Sequence, residues 1–296
     1  VLKPHHRKLN LFEAEWWSYI AGKEHRWAAA LNSSQCFGVN LFAPLAQRPE
    51  RARYVLQRLL PELAIEQDDL VTVSFEHTPE GAPEWLGESD KPTQVDVFFE
   101  ITRAEQRMGC VLVEVKYSET GFGECRGWNG KRKKVWTNPD RNRCQNVAAI
   151  AKSPDTQCWL ARSQGRHYWK MLFQDSSSFK IGQITHAGAC PFRHGLYQMM
   201  RNRLLADELS RQRPGTWSAF AVCRHPANDV LSTLAEPVAG TTNAFLAFQA
   251  ISSPSAVRDW NAEEILGLVG ESDSNLLAWR EWMQDRYFPR HVSARQ

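Results

Sequence analysis

Apolar and polar positions along the chain alternate in some stretches and recur at helical spacing in others. In "NLFEAEWWSYIAGKEHRWAAAL", residues 10–31, Leu, Phe, Trp and Ala mix with charge at roughly helical spacing, which predicts an amphipathic N-terminal helix region. "NSSQCFGVNLFAP" then breaks the pattern with small polar residues and glycine and reads as a loop. "PERARYVLQRLLPEL", residues 49–63, opens with a first-turn proline and sets Tyr54, Leu56, Leu59, Leu60 and Leu63 mostly on one side, predicting a helix. "LVTVSFEHT" alternates as a strand does, with Val71, Val73 and Phe75 facing one way and Thr72, Ser74 and Glu76 the other. Two more strands follow, "TQVDVFFEIT" with Val95, Val97 and Phe99 on one face and "CVLVEVKYS" with Val111, Val113 and Val115 on one face, joined by a turn at "RAEQRMG".

Residues 119–160 lose this periodicity and are rich in Gly, Lys, Arg and Trp, as expected of a long excursion rather than a core element. "FRHGLYQMMRNRLLADELSRQR", residues 192–213, predicts a helix that buries Leu196, Met199, Met200, Leu204 and Leu209 and stops at "PGT". "WSAFAVCRH" predicts a strand, "NAFLAFQAIS" fits strand or helix, and the tail "NAEEILGLVGESDSNLLAWREWMQDRYF" predicts two helical segments. No repeat or low-complexity linker separates the halves. The order therefore predicts one α/β domain over 1–296, with a core over about 49–225 and C-terminal additions over about 240–296.

Composition narrows the class. Hydrophobic and charged fractions of 43% and 23% are those of an ordinary folded protein. No stretch approaches the roughly 18 apolar residues of a membrane span, and "VLKPHHRKLN" lacks the apolar run of a signal peptide, so no membrane association and a cytoplasmic location are expected. The seven cysteines, at 36, 110, 125, 144, 158, 190 and 223, are odd in number and form no C-x-x-C pair, which argues against a disulfide framework and a cysteine zinc site and for reduced, packed thiols. The nine histidines form no H-x-x-x-H or H-E-x-x-H pair, and His5–His6 reads as incidental. Neither a phosphate-cradling G-x-x-x-x-G-K-[ST] loop nor a G-x-S-x-G elbow is present.

A net charge of +3 is too small to imply a nucleic-acid partner, but its distribution is uneven: residues 126–143 hold seven Lys or Arg and one Asp, a balance of 7 − 1 = +6. Arg126, Lys131, Arg132, Lys133 and Lys134 are candidates to contact phosphates, and Trp128 and Trp136 to stack on bases or to anchor the loop. A solvated basic loop accounts for the same composition.

The central chemistry lies in the second and third strands. Glu114 and Lys116 share one strand face, and Asp96 joins them there if its strand pairs alongside. Two carboxylates about 4 Å apart repel by roughly 4 kcal/mol at an effective dielectric near 20, and a divalent cation removes that conflict. An oxygen-only donor set suits Mg2+ or Mn2+ rather than zinc. A cation held there would activate a water, with Lys116 orienting or deprotonating it or contacting phosphate, which is phosphodiester hydrolysis. The spacing alone fits a salt bridge at a strand end equally well; the apolar run before Glu114 favours a site, because a central strand is a costly place for a charge pair.

The order of helix, "VSFEH", "QVDVFFE", "VLVEVKYSE" and helix resembles the core of the PD-(D/E)XK nuclease superfamily, the fold of many restriction and repair nucleases. "NSSQCFGVNLFAPL", "EVKYSE", "FRHGLYQMMRNRLLA" and "CRHPAND", spanning residues 32 to about 229, together with "WMQDRYF", resemble a bacterial branch of it. The resemblance implies a restriction-endonuclease-like core of helix, three-stranded mixed sheet, helix and strand, with helical additions at both ends. It also implies that Asp96 and Glu114 are metal ligands and Lys116 is the catalytic lysine. Val95 stands where the superfamily usually has proline. Glu76 is a candidate additional ligand or support, and Glu119, Gln198, Arg201 and Gln35 are candidate supports, with Ser33, Ser34 and Asn40 pinning the shared polar segment. Gln145 could approach the site.

The leading expectation is a Mg2+-dependent nuclease, with DNA favoured over RNA by the resemblance. The alternatives are a non-catalytic nucleic-acid-binding or complex-assembly module that keeps the fold, and a phosphohydrolase acting on a nucleotide.

Overall fold

The computed structural model describes residues 8–89 and 91–289, with the backbone alone at Arg132; His5–His6 lies outside the described residues. Helices α1 (Ser34–Ala46) and α2 (Pro49–Leu59) lead into strands β1 (Leu70–His77), β2 (Val95–Arg103) and β3 (Gln106–Lys116). After the excursion come α3 (Tyr197–Gln212), β4 (Trp217–Arg224), α4 (Ala244–Ile251), β5 (Arg258–Asn261), α5 (Ala262–Ser272) and α6 (Leu277–Tyr287). The five strands form one mixed sheet in the order β1-β2-β3-β4-β5. The first three are antiparallel, and β4 and β5 continue parallel to β3.

The sheet is thus wider than the three strands expected. β5 escaped notice because it is four residues long and buries only Trp260, too little for an alternating pattern. The β2–β3 turn is tighter than expected: Ala104 and Glu105 take φ of 46° and 65°, the geometry of a two-residue hairpin loop, so Gln106–Gly109 belong to the strand. Val95 packs in the cluster opposite to that of Val97 and Phe99, not on one face with them.

Most of "NSSQCFGVNLFAP", residues 32–44, read as a loop, lies in the deeply buried helix α1, with Ser33 capping it by accepting from the Cys36 N–H. Its polar residues are not solvent markers. Gln35 and Asn40 are buried and paired, and a helix apolar nearly all round has no amphipathic period to detect. Gly38 lets α1 approach the sheet: a Cβ there would stand 3.3 Å from Val115 Cγ2. Residues 10–31, read as helical, hold the end of a 3-10 turn at Asn10, the 3-10 segment Ala14–Tyr19, and bends and turns, with no α-helix. Tertiary contacts hold it, among them Asn40, whose Oδ1 accepts from the Phe12 N–H and whose Nδ2 donates to the Asn10 carbonyl and the Tyr287 hydroxyl. Asn40→Leu is expected to destabilise the protein by about 2–4 kcal/mol, since each orphaned group costs about 1–3. Urea unfolding measures it, and a loss under about 1 kcal/mol would refute this role.

One hydrophobic cluster joins α1, α2, α5 and α6 to the sheet face carrying Val111, Val113 and Val115. The other covers Cys110 and Leu112 with α3, α4 and parts of the excursion, including Phe122, Val147, Ile150 and Leu160, so the excursion is partly core. The ambiguous "NAFLAFQAIS" is helix α4, capped by Asn243. Among the described residues no helix is long and apolar enough to cross a membrane.

Candidate active site

Strand register determines where the charges fall. Phe75 pairs with Val97 and His77 with Val95, which puts Glu76 opposite Asp96; Val97 pairs with Val113, and one step further along that register Asp96 meets Glu114. Glu76, Asp96 and Glu114 therefore occupy one rung across three neighbouring strands, on the side facing α3. Like charges directly opposite each other in a sheet are destabilising, so packing does not explain this row. Glu76 also adopts φ of 45°, a left-handed conformation that costs a non-glycine residue energy and interrupts regular pairing there.

Each carboxylate has a different set of partners. Asp96 Oδ2 accepts the Val115 N–H at 2.7 Å. Glu114 is buried, with Oε1 accepting from Lys116 Nζ at 2.7 Å and Gln198 Nε2 at 2.9 Å, and Oε2 from Asn202 Nδ2 at 2.7 Å. Lys116 Nζ also donates to Gln198 Oε1 at 3.1 Å. Glu76 Oε1 accepts from Gln35 Nε2 at 2.7 Å, while Oε2 lies 3.5 Å from His25 Nε2 and has no hydrogen-bond partner among the described residues.

Burial, then the charges of Glu114 and Glu76, push the Asp96 carboxyl well above the usual carboxylate range, against the pull of Lys116 and the Val115 N–H. Burial opposes the charge of Lys116, but Glu114, Asp96 and Glu119 outweigh it and hold its pKa above the ordinary lysine value. The Glu76 carboxylate raises the His25 pKa despite partial burial of the ring.

His25, Glu76, Asp96 and Glu114 line an open cleft of about 520 Å³, together with Lys91, Pro92, Gln94 and Arg201, while Lys116 and Gln35 are buried against Glu114 and Glu76. Gln198 and Asn202 reach it from one face of α3, four residues apart. Arg201 donates from Nε to Thr93 Oγ1 at 3.1 Å and stands 3.7 Å from buried Glu88. Of the supports expected from sequence, Gln35, Gln198 and Arg201 come together here. Glu119 does not: it accepts from the Tyr117 and Ser118 N–H groups and lines a neighbouring cavity. Gln145 is exposed in the 3-10 turn Arg141–Gln145, away from the cleft lining. Sequence reading missed Asn202 and His25; the fourfold spacing from Gln198 was the available signal for Asn202.

The cleft suits an oxygen-ligated cation in part. Among the described residues no three His, Cys, Asp or Glu side chains are arranged to hold an ion, so Glu76, Asp96 and Glu114 do not form a three-ligand cage. Magnesium, however, commonly uses one or two carboxylates and fills its shell with water. The donor chemistry of Asp96 and Glu114, and the mutual repulsion expressed at Asp96, fit that kind of site.

The basic segment forms a small hairpin, Lys131–Arg132 with Val135–Trp136, whose turn residues Lys133 and Lys134 are exposed and take φ of 48° and 67°. Its tryptophans are half-buried and covered by cations of the same protein. Lys131 and Arg141 lie over Trp136, and Arg141 and Arg193 over Trp128. Arg126 is exposed just before it. The chain leading into the segment passes α3 at Gly123, where a Cβ would stand 3.3 Å from Gln198, and Gln198 donates its backbone N–H to the Phe122 carbonyl.

No curated protein and no solved structure matches the chain. The family described as REase-ARP, Restriction Endonuclease associating with ARP, matches residues 5–288, nearly the whole length, and the chain belongs to that family.

Proposed function

We propose that the protein is a divalent-metal-dependent nuclease that hydrolyses phosphodiester bonds, in DNA before RNA. The observation that carries this reading is the rung of Glu76, Asp96 and Glu114 opening into one cleft, with buried Lys116 bonded to Glu114. The family's description, a restriction endonuclease, supports the same class and the nucleic-acid substrate. Mg2+ or Mn2+ held by Asp96 and Glu114 would supply an activated water and neutralise charge developing on a phosphoryl oxygen.

The chain's own groups do the rest. Gln198 and Asn202 fix the Glu114 carboxylate, and Lys116, kept charged, is positioned to orient the attacking water or meet the phosphate. Gln35 and His25 hold Glu76 behind Asp96, where its charge favours cation binding. Arg201, fixed through Nε, offers its remaining N–H groups to a phosphate oxygen at the cleft edge.

Cleavage of a panel of DNA and RNA substrates, with Mg2+, Mn2+ or chelator, tests the reading; metal-dependent cutting of DNA is the expected result. A second reading, a non-catalytic binding or assembly module, is favoured by one observation: Lys116, Gln198 and Asn202 already occupy both Glu114 oxygens. The family's description also names an association with ARP, so we expect a partner in either case. Nucleic-acid binding without turnover in any metal would establish the second reading.

The hairpin tip supplies a separate expectation. Lys133→Ala with Lys134→Ala should weaken duplex DNA binding and reduce the slope of log K against log salt by about 1.8, as two lost phosphate contacts do. An unchanged slope would remove the hairpin from the interface.

A further inference from the structure

Four of the seven cysteines converge in the excursion between β3 and α3, although their separations along the chain form no motif. Cys125 precedes the short helix Arg126–Asn129, Cys144 lies in the 3-10 turn Arg141–Gln145, Cys158 precedes the helix Trp159–Gln164, and Cys190 precedes the turn Pro191–Arg193. Backbone bonds tie these segments together: the Cys190 N–H donates to the Cys144 carbonyl at 2.8 Å, and the Cys125 N–H to the Arg193 carbonyl at 3.3 Å. A Cβ on Gly127 would stand 3.5 Å from Cys125 Sγ and 3.6 Å from Cβ of Trp159, the residue after Cys158, and all four cysteines pack in one cluster, each close enough to the other three to interact electrostatically. Cys36, Cys110 and Cys223 have no such mutual contact.

Three of the four sulfurs are set among donors. Backbone N–H groups of Gly127 and Trp128 donate to the sulfur of Cys125, those of Ala161 and Leu160 to that of Cys158, and that of Phe192 to that of Cys190. All four are buried or half-buried and none is in a disulfide. Donors at buried sulfur match ligating cysteines, since hydrogen bonds to ligating sulfur are a regular part of metal sites.

The surrounding chain is itself locally weak. Its helices are four to six residues long, too short to be stable by themselves. No set of three His, Cys, Asp or Glu side chains among the described residues is arranged around a single ion. A cluster that spreads its four cysteine ligands over several irons accepts wider spacing.

We propose that Cys125, Cys144, Cys158 and Cys190 ligate an iron–sulfur cluster that holds the excursion together and clamps both ends of the basic hairpin. Ligation replaces each S–H bond by an S–Fe bond and releases one proton per cysteine to solvent, with iron and sulfide supplied from outside the chain.

The test is metal and sulfide analysis of the full chain purified without oxygen, followed by reconstitution with iron and sulfide under a thiol reductant. About four irons and four sulfides per chain, with broad visible absorption that dithionite bleaches, are expected. Cys158→Ser should lose the absorption and the iron, whereas Cys110→Ala, outside the foursome, should keep both. Stoichiometric zinc in place of iron, folded protein that stays iron-free after reconstitution, or full iron retention in Cys158→Ser would each overturn the proposal. Iron content is read with no nucleic acid present, so it is independent of the cleavage result.

Discussion

Asp96→Asn is expected to lower metal-dependent cleavage by about 10³-fold or more while making the protein more stable. Asp96 stands between Glu76 and Glu114 on one rung, and its carboxyl is raised by burial and by both neighbours. Carboxylates about 5 Å apart repel by about 3 kcal/mol at an effective dielectric near 20. Lys116 and the Val115 N–H offset part of this, and asparagine keeps an oxygen to accept from Val115. A net gain of about 1–2 kcal/mol remains, or roughly 2–5 °C in Tm. Mg2+ or Mn2+ should raise the Tm of the unsubstituted protein and leave that of the variant unmoved, because only a group that binds the native state shifts its stability. Retained cleavage, or a variant that metal stabilises as much as the parent, would remove Asp96 from the site.

Lys116→Met should act in the opposite sense on stability. It keeps the length of the side chain and removes the ammonium that donates to buried Glu114 at 2.7 Å. Breaking one side of a buried pair typically costs about 3–5 kcal/mol, because the remaining charge is left uncompensated. Cleavage should fall by about 10²–10⁴-fold. Glu114→Gln combined with Lys116→Met removes both charges and should recover most of the lost stability while remaining inactive. If the double variant is no more stable than Lys116→Met, the ion pair is not what the single substitution breaks; if Lys116→Met cleaves at the parental rate, the lysine has no part in the chemistry.

Legibility in the sequence followed the range of the interactions. β1, β2 and β3 could be read because alternation of residues such as Val111, Val113 and Val115 is local, and α3 because Leu196, Met199, Met200 and Leu204 recur at helical spacing. α1 could not, since burial on nearly every side erased its period and its polar residues found partners far along the chain, Gln35 with Glu76 and Asn40 with Tyr287. The seven cysteines are free thiols, five of them buried, as their spacing predicts. That four of them meet was not legible, because they come from separate short segments.

By itself the sequence determined that Asp96, Glu114 and Lys116 sit on strands, that Glu114 and Lys116 share a face, and that a strongly basic segment follows them. Side-chain direction in a strand is a property of neighbouring residues, and so is local charge. Tertiary structure alone decided that Glu76, Asp96 and Glu114 form one rung, that Asn202 and Gln198 reach Glu114 from more than eighty residues away, and that Trp128 and Trp136 are covered by their own cations. Register and helix docking are settled by packing across the whole sheet, and no window of sequence contains that information.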